Sequence, residues 1–516
     1  MKAKNKFQVE RKYDLEETFN QLFVQGKTEK NFDNLYKLIV GENNILLAMK
    51  NTRLGIGRNI KGVDGKTVSY YEKLPAEKLI QIVKRRFNNF KPMKIRRIFI
   101  PKSNGKQRVL GIMTVEDRIL HQCIKQILDP ICESKFHSNS FGFRSLRSTK
   151  HAVNKLVLIL QMTNYEYCVD VDIKDFFHNV DHAILIEQLY RLGVCDKKLL
   201  EIISKMLKAK VEGEGTKKVG LIQGGILSPL LSNVVLNELD WWINAQCKIA
   251  GKNPAEDRIY FVRYADDFKI LCKSFSDAFK VFNVVKVWLK ENLNLNVSTE
   301  KSKILNLKTQ GSEFLGFKIK ATVKNGVYSV ESHISDDNKI KIKNKICQII
   351  SRLGNSSKKS ERILKTLNQQ INIVHGYYNS ATHVKQDFAA IAEQCRKLLD
   401  DKLKTIAEFS PFSVSGKNIS TYRINDTILI PIEAVEYKRL ENLPPNLNIY
   451  TQTNFKSRRA GTFSKVSMKK YRASKKVPRS SEIEISHTEK QTSEEGLLAT
   501  IKNFFSNLFG KKNTAP

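Results

Sequence analysis

Two short apolar segments on either side of an acidic pair form the clearest local pattern in this chain. Residues 260–264 and 268–272 are rich in β-branched and aromatic side chains, and Asp266 and Asp267 lie between them. Such flanks are typical of short strands, so the pattern predicts a β-hairpin with both carboxylates at its turn. Adjacent carboxylates repel each other unless a cation neutralises them, and Mg²⁺ prefers oxygen ligands of this kind. A solvated acidic turn is the alternative interpretation of the pair taken alone.

A second acidic strand is predicted earlier in the chain, within residues 167–178. Asp170 and Asp172 alternate there with apolar residues. Alternate residues of a strand share a face, so both carboxylates point the same way. Carboxylates on the inner face of an apolar strand cost free energy unless a metal ion or a cation compensates them. One of them, together with Asp266 and Asp267, would form a three-carboxylate site suited to two-metal phosphoryl transfer.

The periodicity of apolar residues predicts the remaining elements. It indicates mostly helices over residues 1–50 and 335–405, a helix that begins at Ser228–Pro229, a basic β-hairpin that turns at 103–105, short strands over 417–450, and an amphipathic terminal helix over 497–508. A glycine-rich basic loop is predicted over residues 51–66.

Composition favours a polyanionic partner. Lys and Arg number 88 against 52 acidic residues in 516, a formal charge of +36 with a pI near 9.7. Nucleic acid is the partner that such an excess favours, with an anionic membrane surface or simple solubility as alternatives. The eight cysteines include no Cys-x-x-Cys pair, so a zinc site is not expected, and their scatter suits a reducing cytoplasm. Neither a signal peptide nor an apolar run of about 20 residues is apparent.

Seven segments, taken in order, resemble motifs of the reverse transcriptases encoded by bacterial group II introns, which are also called maturases. They are Arg97–Lys102, Gly111–Arg118, Phe141–Arg144, Asp172–Phe177, Gln223–Asn233, Tyr264–Asp267 and Phe314–Phe317. Each segment alone is a modest signal, but their order and spacing together are specific. The resemblance implies an α+β right-hand polymerase with fingers, palm and thumb that copies RNA into DNA.

The resemblance also implies a domain order along the chain. It assigns residues 1–70 to an N-terminal helical extension with a template-contact loop, 71–325 to fingers and palm, and 326–408 to a helical thumb/maturase region. The C-terminal quarter departs from familiar members, and there composition and pattern assign 409–480 to a small basic nucleic-acid-binding module and 481–516 to a polar linker with the terminal helix. No HNH endonuclease module, rich in His and Cys, is apparent in the sequence. Autonomous cutting of the second DNA strand is therefore not expected.

By resemblance, the catalytic metal ligands are Asp172, Asp266, Asp267 and the backbone carbonyl of Ile173. They are expected to hold two Mg²⁺ ions, with Mn²⁺ as a possible substitute. Lys301 occupies the place of the family's proposed general acid for pyrophosphate, although a surface lysine is an equally good interpretation.

The remaining site residues follow from the same resemblance, except those within residues 451–480, which are expected from the basic composition of that stretch. The dNTP-binding set is Arg96, Lys102, Arg108, Phe177, Gln223 and Gly224, in which Phe177 would exclude a ribose 2′-hydroxyl. The primer grip is Phe314, Leu315 and Gly316. Nucleic-acid contacts are expected from Arg53, Arg58, Lys61, Arg144, Arg458, Arg459, Lys469 and Lys470. For the basic stretch within residues 451–480, a disordered tail without a dedicated site is the alternative.

The partners expected from this reading are an RNA template, a DNA or RNA primer, dNTPs and a structured intron RNA, which the enzyme would also help to splice. Three alternatives stay open at this point. The chain is a related polymerase used in phage defence or repair, a non-enzymatic RNA-binding splicing factor, or a protein that only coats nucleic acid. The last would need no acidic triad.

Overall fold

A computed structural model describes residues 13–439, apart from 29–30, 56, 102–104, 106, 217, 250–258, 355 and 415. Within these residues the chain mixes helices with antiparallel sheets, so the predicted α+β class is confirmed. The basic stretch and the terminal helix predicted beyond residue 450 lie outside the described residues.

The helices follow the predicted periodicity. Their bounds are α1 (Glu16–Lys27), α2 (Leu35–Ile39), α3 (Glu42–Arg53), α4 (Val68–Glu72), α5 (Ala76–Asn88), α6 (Val115–Lys135), α7 (Thr149–Thr163), α8 (Phe176–Asn179), α9 (His182–Arg191), α10 (Lys197–Leu207), α11 (Ser228–Ile249), α12 (Phe275–Leu293), α13 (Asp336–Ile350), α14 (Ser357–Tyr378) and α15 (Val384–Leu403). The helical predictions for the N-terminal region and for residues 335–405 are confirmed, and α11 begins at the predicted Ser228.

In the part of the chain that the structure describes, the strands form four separate antiparallel groups. Their bounds are β1 (Arg96–Pro101), β2 (Gln107–Ile112), β3 (Tyr167–Val171), β4 (Ile259–Tyr264), β5 (Asp267–Cys272), β6 (Lys303–Asn306), β7 (Ser312–Phe314), β8 (Phe317–Lys324), β9 (Val327–Ile334), β10 (Glu408–Val414), β11 (Lys417–Ile424) and β12 (Thr427–Ile428). The groups are the hairpin β1–β2, the central sheet β4-β5-β3-β6, the sheet β7-β8-β9 and the sheet β10-β11-β12. The two predicted hairpins and the strand around Asp170 are confirmed.

Helix α6 is the centre of the N-terminal half. The hydroxyl of Thr114 caps it by accepting a hydrogen bond from the Asp117 amide at 3.2 Å, which satisfies one of the unpaired N–H groups of a helix start. The carboxylate of Asp117 accepts the Met93 amide at 2.8 Å and pairs with Arg86. These contacts fasten the segment before β1 to the start of α6, so the position of the β1–β2 hairpin is set by buried polar groups.

The C-terminal half shares one hydrophobic core with the central sheet. The core runs from Val262 and Leu271 through the β7-β8-β9 sheet to helices α13, α14 and α15. It continues past the last helix, because Ile424 and Leu429 belong to the same cluster. The core therefore crosses the domain boundary that was predicted between residues 408 and 409.

Candidate active site

The pairing of β3 with β5 decides where the candidate catalytic carboxylates lie. Val171, the last residue of β3, pairs with Phe268, and Asp172 follows directly. Strand β5 begins at Asp267, and Asp266 lies in the turn between β4 and β5. The next step of this antiparallel register sets Asp172 opposite Asp267, and the side chains of directly opposite residues lie on the same face of a sheet. The two acidic segments that the sequence predicted to meet are thus neighbours.

The turn itself has an unusual backbone. Tyr264 pairs with Asp267, so Ala265 and Asp266 are its two central residues. Ala265 has a φ of 57°, in the left-handed region that side-chain-bearing residues seldom adopt. Such a conformation persists only where surrounding contacts hold it, and it is common at functional sites.

The electrostatics of the turn favour a bound cation. Burial raises the pKa of Asp266, and the charge of Asp172 adds to this effect. Burial and the neighbouring carboxylates Asp170, Asp266 and Asp172 together raise the pKa of Asp267 to about 6, although Lys269 opposes the shift. Ionised carboxylates are therefore costly here, and a hard divalent ion bound to their oxygens would compensate the charge. The donor set fits Mg²⁺.

Asp170 has a structural role that distinguishes it from Asp172. Its carboxylate accepts a hydrogen bond from the Lys269 ammonium at 2.9 Å and another from the Ser312 hydroxyl at 2.9 Å. The Lys269 side chain is only 5% exposed, and although burial alone would lower its pKa, Asp170 and Asp267 keep that pKa raised. Asp170 is thus engaged in neutralising a buried lysine.

Asp172 is more open, and its described ion pair is with Lys301. The Lys301 ammonium lies 3.5 Å from the Asp172 carboxylate, with 68% and 42% of the two side chains exposed. This pair brings Lys301, the predicted general acid, to the predicted metal ligands. A pair this exposed adds little stability, so its position at the site is the more informative fact.

Arg263, which the sequence analysis did not single out, supports the turn from below. It is buried in β4, and its guanidinium donates to both carboxylate oxygens of Asp240 on α11 at 2.7 and 2.6 Å. It also donates to the Ala265 carbonyl at 2.8 Å and to Asn233 at 3.1 Å. A rigid planar fork of donors can make all these bonds at once, which a lysine cannot. A lone arginine inside an apolar strand was the sequence signal for this role.

The segment 141–144 also holds the turn, and it requires one correction. A Cβ on Gly142 would lie 2.3 Å from the Ala265 amide nitrogen, so only glycine fits there. Arg144 was predicted to contact nucleic acid, and this is wrong, because its side chain is only 3% exposed. Its guanidinium pairs with Glu133 at 2.7 Å and donates to the carbonyls of His137 and Ser140.

Of the predicted nucleotide contacts, Arg96 and Arg108 lie on the described strands of the β1–β2 hairpin. Arg108 is exposed, and its charge lowers the pKa of Asp266, which places it near the turn. Arg96 is half-buried, and its Nε has no hydrogen-bond partner in the described part of the chain. The Gly111 amide donates to the Gln223 carbonyl at 2.9 Å, which fastens the hairpin to the loop before α11. Lys102 lies outside the described residues.

Two consecutive phenylalanines follow β3, and they differ in burial. Phe176 is buried, whereas Phe177 is only half-buried. The Phe177 carbonyl accepts the Leu221 amide at 2.6 Å, so the main chain of Phe177 lies beside the segment that leads to Gln223 and Gly224. Gly224 is exposed and has a φ of 90°, a conformation that favours glycine.

The predicted primer grip is the tight turn between β7 and β8. Leu315 and Gly316 both have positive φ, at 52° and 82°. The Tyr377 hydroxyl donates to the Leu315 carbonyl at 3.0 Å and thereby fixes the turn against α14. Phe314 is fully buried, so its side chain is a core residue and a direct primer contact by it is excluded.

The basic N-terminal loop is held in place by another buried arginine. Arg118 donates to the carbonyls of Gly57 at 2.9 Å and Ile60 at 2.8 Å. Between them Arg58 is exposed, as is Lys61. Arg53 pairs with Glu72 at 2.8 Å on the surface. The predicted contacts Arg458, Arg459, Lys469 and Lys470 lie outside the described residues.

We expect Asp267→Asn to raise the thermal stability of the protein at alkaline pH. The folded-state pKa of Asp267, about 6, lies above its ordinary value of 3.8, so stability is lost as the pH rises through 6 and Asp267 ionises. Since 45% of this side chain is exposed, we expect a gain on the order of only 1 kcal/mol. The measurement is the midpoint of thermal unfolding of the wild type and the variant at pH 5 and pH 8, with a metal chelator in the buffer. An equal gain in thermal stability at both pH values would contradict the raised pKa of Asp267.

Comparisons with known proteins agree with this geometry. The family model described as "Reverse transcriptase (RNA-dependent DNA polymerase)" matches residues 100–319. Protein YkfC of Escherichia coli (strain K12) is 30% identical over 318 residues, which cover 55% of this chain and 82% of that protein. No helix in the described part of the chain combines the length and the apolar character needed to cross a membrane.

Two further relatives carry names that describe a role. Group II intron-encoded protein LtrA of Lactococcus lactis subsp. cremoris is 28% identical over 354 residues, which cover 57% of this chain and 58% of that protein. Maturase-like protein 1 of Euglena gracilis is 27% identical over 328 residues, which cover 61% of this chain and 64% of that protein. The chain thus spans less than two thirds of the length of these two relatives.

Proposed function

Because the chain belongs to the family of group II intron-encoded reverse transcriptases, we propose that it copies RNA into DNA at the site around Asp172, Asp266 and Asp267. The family predicted from the sequence is confirmed by the matching model and by relatives named group II intron-encoded protein and maturase. The enzyme class predicted from the sequence, an RNA-dependent DNA polymerase, agrees with the description of the matching family model. The observation that carries the proposal for the site is the pairing of β3 with β5.

We assign the described elements to the parts of a right-hand polymerase as follows. In this proposal the β1–β2 hairpin with α5 and α6 forms the fingers, and the central sheet with α7, α11 and α12 forms the palm. Helices α13, α14 and α15 form the thumb, which shares its core with the palm. The three aspartates then lie at the base of the cleft between fingers and thumb.

The aspartates would hold two Mg²⁺ ions together with the carbonyl of Ile173, and Mn²⁺ is the expected substitute. When bound, such ions supply a lowered pKa for the primer 3′-hydroxyl and charge compensation for the reacting phosphate. Lys301, whose ammonium lies 3.5 Å from the Asp172 carboxylate, would hold the proton that pyrophosphate needs on leaving. Arg263 and Asp240 hold the turn, and with it Asp266, in a fixed position before any substrate binds.

Residues of the β1–β2 hairpin and of two neighbouring segments would bind and select the incoming nucleotide. Arg96, Arg108 and Lys102 would pair with the triphosphate, because charge-assisted bonds to phosphate are strong. Gln223 and Gly224 would border the base, and Phe177 would close the sugar side of the pocket. The backbone turn at Leu315 and Gly316 would position the primer.

The nucleic-acid partners of the proposal are an RNA template, a DNA or RNA primer and a structured intron RNA. A formal charge of +36 suits such polyanions, and binding should weaken steeply with salt. The exposed Arg58 and Lys61 would contact the template. Since relatives are named maturase, we extend the proposal to assistance of intron splicing.

Primer extension tests the proposal directly. The full-length protein is incubated with an annealed DNA primer on an RNA template, four dNTPs and Mg²⁺, and the products are resolved by length. The proposal requires template-dependent extension that stops when a chelator is added. A folded protein that binds the duplex but adds no nucleotide with either Mg²⁺ or Mn²⁺ would refute it.

We expect Phe177→Ala to relax the choice of dNTP over rNTP at least tenfold, which corresponds to about 1.4 kcal/mol. The reason is steric, since the smaller side chain leaves room for a 2′-hydroxyl. The measurement is the ratio of kcat/KM for dGTP and rGTP on the same template. Phe279→Ala, which removes a ring that is 52% exposed on α12, is the matched control. An unchanged ratio in Phe177→Ala would remove this residue from the pocket.

A further inference from the structure

A second group of potential metal ligands lies away from the aspartates, where β9 meets the start of α15. Glu331 and His333 are alternate residues of β9 and share a face, and His383 directly precedes α15. One ligand atom from each of the three lies within 4.8 Å of the other two. The Nε2 atoms of both imidazoles lie 4.0 Å from carboxylate oxygens of Glu331. The two rings stack with their centroids 4.5 Å apart.

Each imidazole is oriented by a hydrogen bond at its other nitrogen. Nδ1 of His333 lies 3.2 Å from the carboxylate of Asp387, which can only accept, so this nitrogen carries the proton. Nδ1 of His383 lies 2.9 Å from the Thr382 hydroxyl. Both rings therefore direct Nε2 toward Glu331. Metal-binding histidines are oriented by such outer partners, which fix the tautomer and the ring position.

The outer partners are themselves fixed. The Asp387 side chain is only 5% exposed, and it accepts the Ile334 amide at 2.8 Å and the Lys339 ammonium at 2.8 Å. Thr382 exchanges two bonds with Ser332, the residue between the two β9 ligands. The Ser332 amide donates to the Thr382 hydroxyl at 2.8 Å, and the Thr382 amide donates to the Ser332 hydroxyl at 2.9 Å. The ligand positions are thus set by the main chain before any ion binds.

We propose that Glu331, His333 and His383 bind one divalent transition-metal ion of the zinc type, with a fourth position open to water. Two imidazoles and a carboxylate select zinc and its neighbours over Mg²⁺, which prefers oxygen ligands alone. Ligand atoms on a tetrahedral zinc ion lie roughly 3.4 Å apart, so the two 4.0 Å contacts with Glu331 would close by about 0.6 Å. The three ligand atoms lie within 4.8 Å of one another, so no pair would close by more than about 1.4 Å. The three side chains are between 16% and 26% exposed, which leaves one side open to solvent.

Such an ion would join strand β9 to helix α15 across fifty residues of sequence. Strand β9 belongs to the sheet whose first strand leads into the turn at Leu315 and Gly316. The ion would therefore stabilise the junction between this sheet and the C-terminal helices. The expectation that the chain has no zinc site considered cysteine spacing alone, and the histidines become neighbours only in the fold.

Metal titration of the full-length protein tests the site. The protein is stripped with a chelator, and Zn²⁺ is then added in competition with a chromogenic chelator. We expect one tight equivalent per chain in the wild type. His333→Gln and His383→Gln should each weaken it more than about 100-fold, because changes to outer partners alone cost about 10–100-fold. His178→Gln, which removes an exposed histidine of α8, should bind as the wild type does.

Cobalt provides an independent measurement that needs no variant. Co²⁺ at the site should give the intense visible absorption of a four-coordinate ion without a thiolate charge-transfer band, since no cysteine is a ligand. Circular dichroism establishes that the variants are folded, and Glu331→Gln serves as a replacement for any that is not. Equal Zn²⁺ affinity in the wild type and both histidine variants, or a six-coordinate cobalt spectrum, would overturn the proposal.

Discussion

Asp266→Asn is expected to abolish RNA-templated DNA synthesis while leaving the fold intact. Asparagine has nearly the same shape but carries no charge, so a proposed ligand of the metal ions is lost without a gap at the turn. Burial and Asp172 already disfavour the ionised form of Asp266, so removing the charge does not cost stability. We expect primer extension to fall by at least about 1000-fold, which corresponds to about 4 kcal/mol of transition-state stabilisation.

The measurement is single-turnover primer extension on an RNA template at saturating dNTP. Asp337→Asn is the control, because it makes the same chemical change at an exposed position of α13. RNA binding by Asp266→Asn should retain the affinity and the salt dependence of the wild type, since basic side chains supply the electrostatic attraction. If a folded Asp266→Asn protein extended primers at the wild-type rate, the assignment of the catalytic site would be lost.

The parts of the fold that sequence predicted best are those set by local patterns. Alternation along β3 put Asp170 and Asp172 on one face, and the apolar flanks of Asp266 predicted the hairpin that the structure contains. What alternation does not decide is which of two equivalent aspartates is engaged elsewhere. That depends on Lys269 and Ser312, which reach Asp170 only after the sheet has formed.

What the sequence analysis did not foresee has a different cause: a local sequence pattern does not show which residues the fold will bury. Arg144 looked like one more cation of a basic protein, but the fold encloses it with Glu133. The boundary at 408/409 followed the end of the helical pattern, and the hydrophobic core continues past it to Ile424. The Glu331–His333–His383 group was missed because His383 reaches the other two only through the packing of α15 on β9.

Arg263 is the clearest case of a long-range contact that the site depends on, and Asp240→Ala is expected to expose that dependence. Both side chains are 1% exposed, and their two parallel hydrogen bonds leave neither charge unpaired. Removing the carboxylate leaves a buried guanidinium without its counter-charge, which typically costs roughly 3–5 kcal/mol. We expect a marked fall in the midpoint of thermal unfolding at neutral pH.

The matched comparison is Asp240→Leu combined with Arg263→Met, which removes both charges and fills the same space. Replacing a buried ion pair by apolar residues is often neutral, so this double variant should regain much of the lost stability. It should nevertheless copy RNA poorly, because the Ala265 carbonyl has lost the donor that holds the turn at 2.8 Å. The double variant would thus recover stability without recovering activity. Its stability does not need the ion pair, whereas the geometry of the turn needs the guanidinium. An Asp240→Ala protein that unfolds at the wild-type temperature would contradict this account of the site.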